Sequence, residues 1–325
     1  MTVARGTYHE AITIMPMVKF LLALGTILAS AAAGQTTAPR IRVDAARIFQ
    51  DVEKLSADDM EGRLPGTPGG EKARAYVLRR LKEAGVAPIG ERFERPFTFP
   101  SRASGDRTGT NLVGVIRGTR DPDRYIVLTA HYDHLGVRNG QVFNGADDNA
   151  SGVAALVAAA AHFSRTKPAH SLLIAALDAE ELGLQGAKAL MRDPPVSVSS
   201  MILNVNMDMV GRDPGNRLFA VGVHHHPFLK PYLEKVARPP VVLAFGHDTP
   251  GEREDWTKDS DHFVFHEAGI PWIYFGVEDF DQHHQATDDS ATIGREFLAG
   301  AAATVIAALH EFDAHLEQIA ARRNK

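Results

Sequence analysis

Six short apolar runs, rich in β-branched residues, recur along the chain at Asn111–Arg117, Tyr125–His131, Ser171–Leu177, Met201–Asp208, Val241–Phe245 and Trp272–Gly276. They are continuous rather than alternating. That pattern belongs to strands covered on both faces, because a strand with one wet face would expose every second residue. Stretches with helical apolar spacing separate several of them, at Ser151–Ser164, Leu182–Met191, His225–Ala237 and Asp261–Ala268. Two more precede the first strand, at Val43–Met60 and Gly70–Ala84, and Ile293–Ala320 closes the chain. Strand–helix alternation predicts a three-layer α/β fold: a twisted, mostly parallel mixed β-sheet with helices on both faces. The Pro-rich, polar stretch Arg212–Lys258 is expected to form an irregular insertion over the sheet rim.

In such sheets ligands bind beyond the carboxyl ends of the strands. His131-Tyr132-Asp133-His134 follows the second run, Asp178-Ala179-Glu180-Glu181 the third, and the fourth ends on Asp208. After the last run comes Asp281-Gln282-His283-His284-Gln285-Ala286-Thr287-Asp288. The Gly145–Gly152 turn, with Asp147 and Asp148, lies between the second run and its helix. Carboxylates crowded at one rim repel each other and cannot all stay ionised without a cation. The chain has no cysteine, so disulfides, thiolate ligands and a cysteine nucleophile are excluded, and a metal site must be built from His, Asp and Glu. That donor set suits zinc.

These stretches together resemble the co-catalytic zinc exopeptidases of metallopeptidase family twenty-eight, the group of bacterial leucyl aminopeptidases, aminopeptidase Y and glutamate carboxypeptidase. The matching segments are Ala130–Asp133, Gly145–Gly152, Asp178–Gly186, Asn206–Gly211 and His284–Asp288, with softer matches at Gly109–Gly114 and Ser260–Phe263. Each is weak alone; all in order are specific, and the resemblance spans about residues 43–315. It implies two Zn2+ per chain, with Asp148 bridging, His131 and Asp208 completing one ion, and Glu181 and His284 the other. Glu180 becomes the general base that takes a proton from a zinc-activated water, whose pKa can fall to about 7, and passes it to the leaving amine. Asp133 matches the carboxylate that orients His131; a plain backbone-amide acceptor is its other reading. Some relatives carry a tyrosine before the last histidine. His283 stands there and is expected in the substrate pocket, with His262 as a second pocket candidate.

Several residues read differently. Asp147 fits turn-shaping better than ligation. Ser260-Asp261 also reads as a helix cap, and His224-His225-His226 as a solvated helix entry. His162 and His170 are expected at the surface.

The implied activity is that of an aminopeptidase acting on N-terminal residues of peptides. A carboxypeptidase or dipeptidase on the same centre is the alternative, with Arg212, Arg217 and Arg253 available for a substrate carboxylate. A glutaminyl cyclase and a non-catalytic relative rank below these. The net charge of −5 offers no basic face for nucleic acid. Lys19, the apolar run Phe20–Ala29 and the small residues Ser30–Gly34 form a secretory leader pattern too short to span a bilayer. The expected organisation is a leader over 1–33, with a start at Met15 or Met17 as a tidier variant, and a linker over 34–42. One catalytic domain follows over 43–325, without an inserted protease-associated domain. The product would be periplasmic or secreted, with peptide substrates and no stable membrane association after leader cleavage. The oligomeric state is left open.

Overall fold

Asp44 starts the first helix by accepting hydrogen bonds from Ala46 and Arg47 N–H groups at 3.0 and 3.1 Å. A computed structural model of the chain describes residues 41–101, 105–251, 253–279 and 281–323. The expected leader and residues 34–40 of the linker lie outside them.

Helix α1 (Ala45–Leu55) buries Ile48, Phe49, Val52 and Leu55. The expected helix to Met60 ends five residues early. The Ser56 hydroxyl turns back onto the Val52 carbonyl at 2.8 Å, and a 3-10 segment, Asp58–Arg63, follows with Glu61, Gly62 and Arg63 at positive φ. Gly62 is needed there, since a Cβ would meet the Gly136 carbonyl oxygen at 2.5 Å. Helix α2 (Pro68–Glu83) begins at a Thr67 cap with Pro68 at its first position.

Strands β1 (Ala87–Pro88), β2 (Glu94–Ser101), β3 (Gly105–Ile116) and β4 (Asp121–His131) come next, then the small hairpin β5 (Val137–Arg138) and β6 (Gln141–Val142). Helix α3 (Gly152–Arg165), β7 (His170–Leu177), α4 (Gln185–Arg192), β8 (Met201–Met207), β9 (Arg217–Val221), α5 (Lys230–Leu233) and β10 (Val242–Ala244) follow. Helix α6 (His262–Glu267), β11 (Trp272–Gly276), α7 (Arg295–Ala314) and α8 (Leu316–Arg323) end the chain. The main sheet runs β1-β3-β7-β4-β8-β11-β9-β10, with β2 paired to β3 as its ninth strand. Strands β7, β4, β8 and β11 are mutually parallel; the pairings of β3 with β7 and of β11 with β9 are antiparallel.

Both faces of the sheet are covered, as the continuous apolar runs require. Leu112, Ile126, Leu128, Ile174, Val205 and Phe275 pack with α1, α2, α3 and α7. Val113, Val127, Leu173, Ala175 and Leu177 pack with α4 and α6. Each fully buried side chain of this size contributes about 1.5–3 kcal/mol. Helix α7 is long and apolar enough to cross a membrane by composition, but 72% of that window is buried in the protein. It is a core helix.

Three segments differ from expectation. Residues 94–101 form an edge strand whose Pro96 and Pro100 face solvent while Phe97 and Phe99 are buried. Besides the strand expected at Val241–Phe245, which appears as β10, part of 212–258 is sheet rather than insertion, since β9 joins β10 to the edge. The helix expected over 225–237 shrinks to a 3-10 turn at Pro227–Leu229 and the single turn α5, because Pro227 and Pro231 interrupt the amide ladder.

Candidate active site

The parallel strands deliver their chemistry to one edge. His131 ends β4, and Asp208 follows β8. Past β7, Asp178 accepts the Thr110 and Ala179 N–H groups at 2.8 and 3.0 Å. The chain turns through Ala179 at positive φ and presents Glu180 and Glu181. Asp133 accepts their N–H groups at 3.0 and 3.4 Å, and its Oδ1 also lies 3.5 Å from His131 Nδ1. Both readings of Asp133 therefore hold: it fixes the loop and faces the imidazole.

The turn carrying Asp148 is pinned from three sides. Gly145 sits at φ 57°, where a Cβ would meet the Asp148 carbonyl oxygen at 2.1 Å. Asn149 donates to the Met207 carbonyl at 3.0 Å and accepts from Met209 N–H at 3.2 Å. Asp147 shapes the turn, accepting from Gly211 N–H at 2.7 Å and the Ser151 hydroxyl at 2.9 Å. Below it Arg63, fully buried, donates to the carbonyls of Tyr132, Leu55, Asn144 and Gly145 at 2.5–2.9 Å.

Asp148 stands between two groups of donors. Its Oδ1 is 3.3 Å from His131 Nε2, which is 3.2 Å from Asp208 Oδ1. Its Oδ2 is 3.3 Å from His284 Nε2, which is 2.9 Å from Glu181 Oε2. The expected ligands thus come together as two clusters sharing one carboxylate. His284 reaches in from an exposed loop at φ 57°. Ligand atoms around a tetrahedral zinc with bonds of 2.0–2.1 Å lie roughly 3.3 Å apart, so the spacing and the nitrogen–oxygen donor set fit zinc.

The electrostatics separate the two adjacent glutamates. Burial raises the Glu180 carboxyl well above the usual range, with Asp261, Asp208 and Glu181 adding to the rise against His131. Burial and Asp148 act the same way on Glu181, but His134 and His284 outweigh them and hold it low. Asp148 is likewise held well below the carboxylate range, against burial, by His134, His131 and His284. His284 is pushed up to about 10 by its bonds to Asp148 and Glu181. Burial disfavours a charge on His131, yet Asp208 and Glu180 drive its proton affinity well above normal. Imidazoles that hold protons this tightly mark where a metal cation would replace the proton. Neighbours pushed apart in this way divide the labour between a proton carrier and a fixed anion.

A cavity of about 450 Å³ opens beside these groups, walled by Glu180, Asp208, Met209, Trp256, Asp259, Tyr274 and His283. His283 lines this cavity, with Nε2 3.7 Å from Asp148 Oδ2. His262 does not line the cavity. It is fully buried, donates to the Trp256 carbonyl at 3.1 Å and stacks behind Tyr274 at 4.7 Å, so it supports that wall from within. His162 and His170 are also buried: His162 meets His310 at 2.8 Å and His170 meets Asp313 at 2.9 Å. The 224–226 triplet stays apart from the site, with His225 bonded to Thr257.

Four contributors were not anticipated. His134 Nδ1 lies 2.6 Å from Glu181 Oε1. Ser260 donates to Asp208 Oδ2 at 2.6 Å. Asp288 accepts the N–H groups of Asp147 and Asp148. Arg63 is the fourth. His134, Ser260 and Asp288 carried a signal, in the His131–His134 run and in the Ser260–Phe263 and His284–Asp288 segments, though not in these roles; Arg63 carried none.

The profile of the family described as Peptidase family M28 matches residues 111–309. A probable zinc metalloprotease of Pyrenophora teres f. teres is 30% identical over 202 residues, which cover 54% of this chain and 40% of that protein. The chain thus spans less than half the length of this curated relative. A zinc aminopeptidase from Bacillus subtilis superposes with a TM-score of 0.65 at 17% identity, covering 82% of this chain and 95% of that one. A glutaminyl cyclase from Porphyromonas gingivalis does so at 0.66 and 21%, covering 82% and 98%. At such identities the likeness establishes the fold: a mixed nine-stranded sheet between helices.

Proposed function

This chain belongs to peptidase family M28, and from that premise we propose that it is an exported zinc aminopeptidase holding two ions across Asp148. One observation carries the two-ion reading. The two oxygens of Asp148 face different donor pairs, His131 with Asp208 and His284 with Glu181, each at 3.3 Å from the nearer imidazole. When bound, such a pair of ions polarises the scissile carbonyl and lowers the pKa of water between them.

The chain's own groups do the rest. Glu180 stays out of both donor pairs, its Oε2 3.9 Å from His131 Nε2. Its raised proton affinity suits a base that takes a proton from the attacking water and hands it to the departing amine. Asp133 keeps His131 aimed at Asp148 and Asp208. Asp208 is held in turn by Ser260.

The wall charges support cleavage from the N-terminus. Asp259 lines the cavity beside the site carboxylates Glu180 and Asp208, with Lys258 as the one lysine among the described lining residues; Asp279, also on this wall, is already paired with Arg212. An acidic wall suits the α-ammonium of a free N-terminus. Two of the three arginines considered for a substrate carboxylate are paired within the chain, and the third is not on the cavity wall. Arg212 pairs with Asp279, Arg217 with Asp213 and Glu278 at 3.1 and 2.8 Å, and Arg253 lies at the surface beside Glu254. Lys258 keeps a second reading open, since on this wall it could anchor the carboxylate of a dipeptide.

The test is to incubate zinc-loaded protein with unblocked peptides and follow the products by mass spectrometry. A ladder shortening from the N-terminus supports the aminopeptidase. Shortening from the C-terminus, or cleavage of dipeptides alone, moves the activity to the second reading. Loss of ammonia from N-terminal Gln would mean a cyclase. Export is tested separately, by fractionating cells that produce the full chain.

A further inference from the structure

The two donor pairs around Asp148 are built on the same plan. In the first, Ser260 donates to Asp208 Oδ2 at 2.6 Å, which leaves Oδ1 turned to His131 at 3.2 Å. In the second, Glu181 offers Oε2 to His284 at 2.9 Å, while Oε1 meets His134 Nδ1 at 2.6 Å. Each terminal carboxylate is therefore gripped by its outer oxygen, and only the inner one faces Asp148.

We propose that His134 is the positioning residue of the second pair, donating its Nδ1 proton to Glu181 Oε1 and so setting the Oε2 lone pairs toward the ion. This rests on the two-ion reading above. The distance favours positioning over ligation, although His134 Nδ1 also lies 3.6 Å from Asp148 Oδ2. Two donors on one zinc lie roughly 3.3 Å apart, so an Nδ1–Oε1 separation of 2.6 Å is a charge-assisted hydrogen bond. The ring has no freedom to do otherwise. It is fully buried and lies against Gly145, where a Cβ would meet its Cγ and Cδ2 at 2.6 Å. Nε2 has no hydrogen-bond partner among the described residues, so Nδ1 alone ties the ring to the site. His284 projects from an exposed loop, so Glu181 is the buried fixed point of this pair, and its orientation rests on His134.

The experiment uses the full chain without substrate. Wild type, His134→Ala, His134→Asn and His134→Gln are stripped with a chelator and titrated with zinc against a competing metal indicator. An asparagine amide nitrogen falls near the place of Nδ1, and a glutamine amide nitrogen near that of Nε2. The expected result is two binding steps in wild type. In the Ala and Gln variants one step weakens about 10–100-fold, the size of effect that partners of metal ligands exert, while the other stays within about threefold. The Asn variant is restored toward wild type. Melting of the chelated variants serves as the folding control, and the Asn–Gln contrast stands even if the Ala variant is unstable.

Equal weakening of both steps would overturn the proposal, as would no weakening at all. An Asn variant as poor as Ala would also overturn it, since only ligation or packing would then explain the loss. A wild type that takes up a single ion would refute the two-ion reading itself, and this proposal with it. Two ions in wild type with unchanged variants would refute the positioning role alone.

Discussion

Asp288 offers a quantitative test of how Asp148 is held. Its carboxylate, 1% exposed, accepts Asp147 N–H at 2.9 Å and Asp148 N–H at 3.0 Å. Hydrogen bonds to a charged acceptor contribute about 1.5–3 kcal/mol each, so the pair amounts to about 3–6 kcal/mol before opposing effects. Those effects are visible. Burial first, and the Asp148 charge as well, raise the Asp288 carboxyl despite the two amide bonds. Part of the gain is therefore returned, and Asp288→Ala, which orphans two buried amides, should cost about 2–4 kcal/mol. Asp288→Asn keeps an acceptor oxygen and removes the charge, so the chelated protein should lose about 1 kcal/mol or less. Zinc binding should nevertheless weaken in the Asn variant, because a negative charge beside Asp148 has gone. Urea unfolding with chelator and with zinc measures both effects. An Ala variant within about 0.5 kcal/mol of wild type, or an Asn variant more damaged than Ala, would refute the reasoning.

Three further outcomes follow from the same geometry. Glu180→Gln should lower kcat by about 10²–10⁴, or about 3–5 kcal/mol of barrier, with zinc content unchanged; elemental analysis alongside kinetics checks both halves, and lost zinc would contradict the assignment. Arg212, which bonds Asp279 and Gln282 and lies 3.6 Å from Asp147, ties the His284 loop to the Asp148 turn, so Arg212→Ala should speed proteolysis within 277–287, and Lys should not restore the two-pronged grip. Burial, then His310, depresses His162 to about 4; because the unfolded chain binds that proton more readily, the contribution is complete above about pH 6.5 and is lost as the pH falls toward 4. For this partly solvated pair that amounts to about 1–2 kcal/mol, and His162→Phe should remove this part of the acid sensitivity in thermal melts taken across that range.

What could be read beforehand was whatever neighbouring residues encode together. Central strands such as Ser171–Leu177 announced themselves because burial on both faces leaves an unbroken apolar run. The expected ligands were named by the family resemblance; His131, Glu181 and Asp208 stand at or just past such a run, whereas Asp148 lies in a later turn and His284 in a loop. Strand β2 was hidden by Pro96 and Pro100, and β9 by its short length within a polar, Pro-rich stretch. The supporting residues stayed hidden for a different reason. Glu181 lies 47 positions from His134, and Asp147 lies 141 from Asp288, so those contacts exist only once the sheet has formed. His262 and His162 were misplaced for the same cause. Nothing local says that Tyr274 covers one or that His310 meets the other.

The most direct test of the central claim is anomalous scattering at the zinc edge from crystals of the zinc-loaded protein. The account predicts two peaks roughly 3.5–4 Å apart, one beside His131 and Asp208, the other beside Glu181 and His284, with Asp148 between them. A single peak, or peaks remote from Asp148, would contradict it.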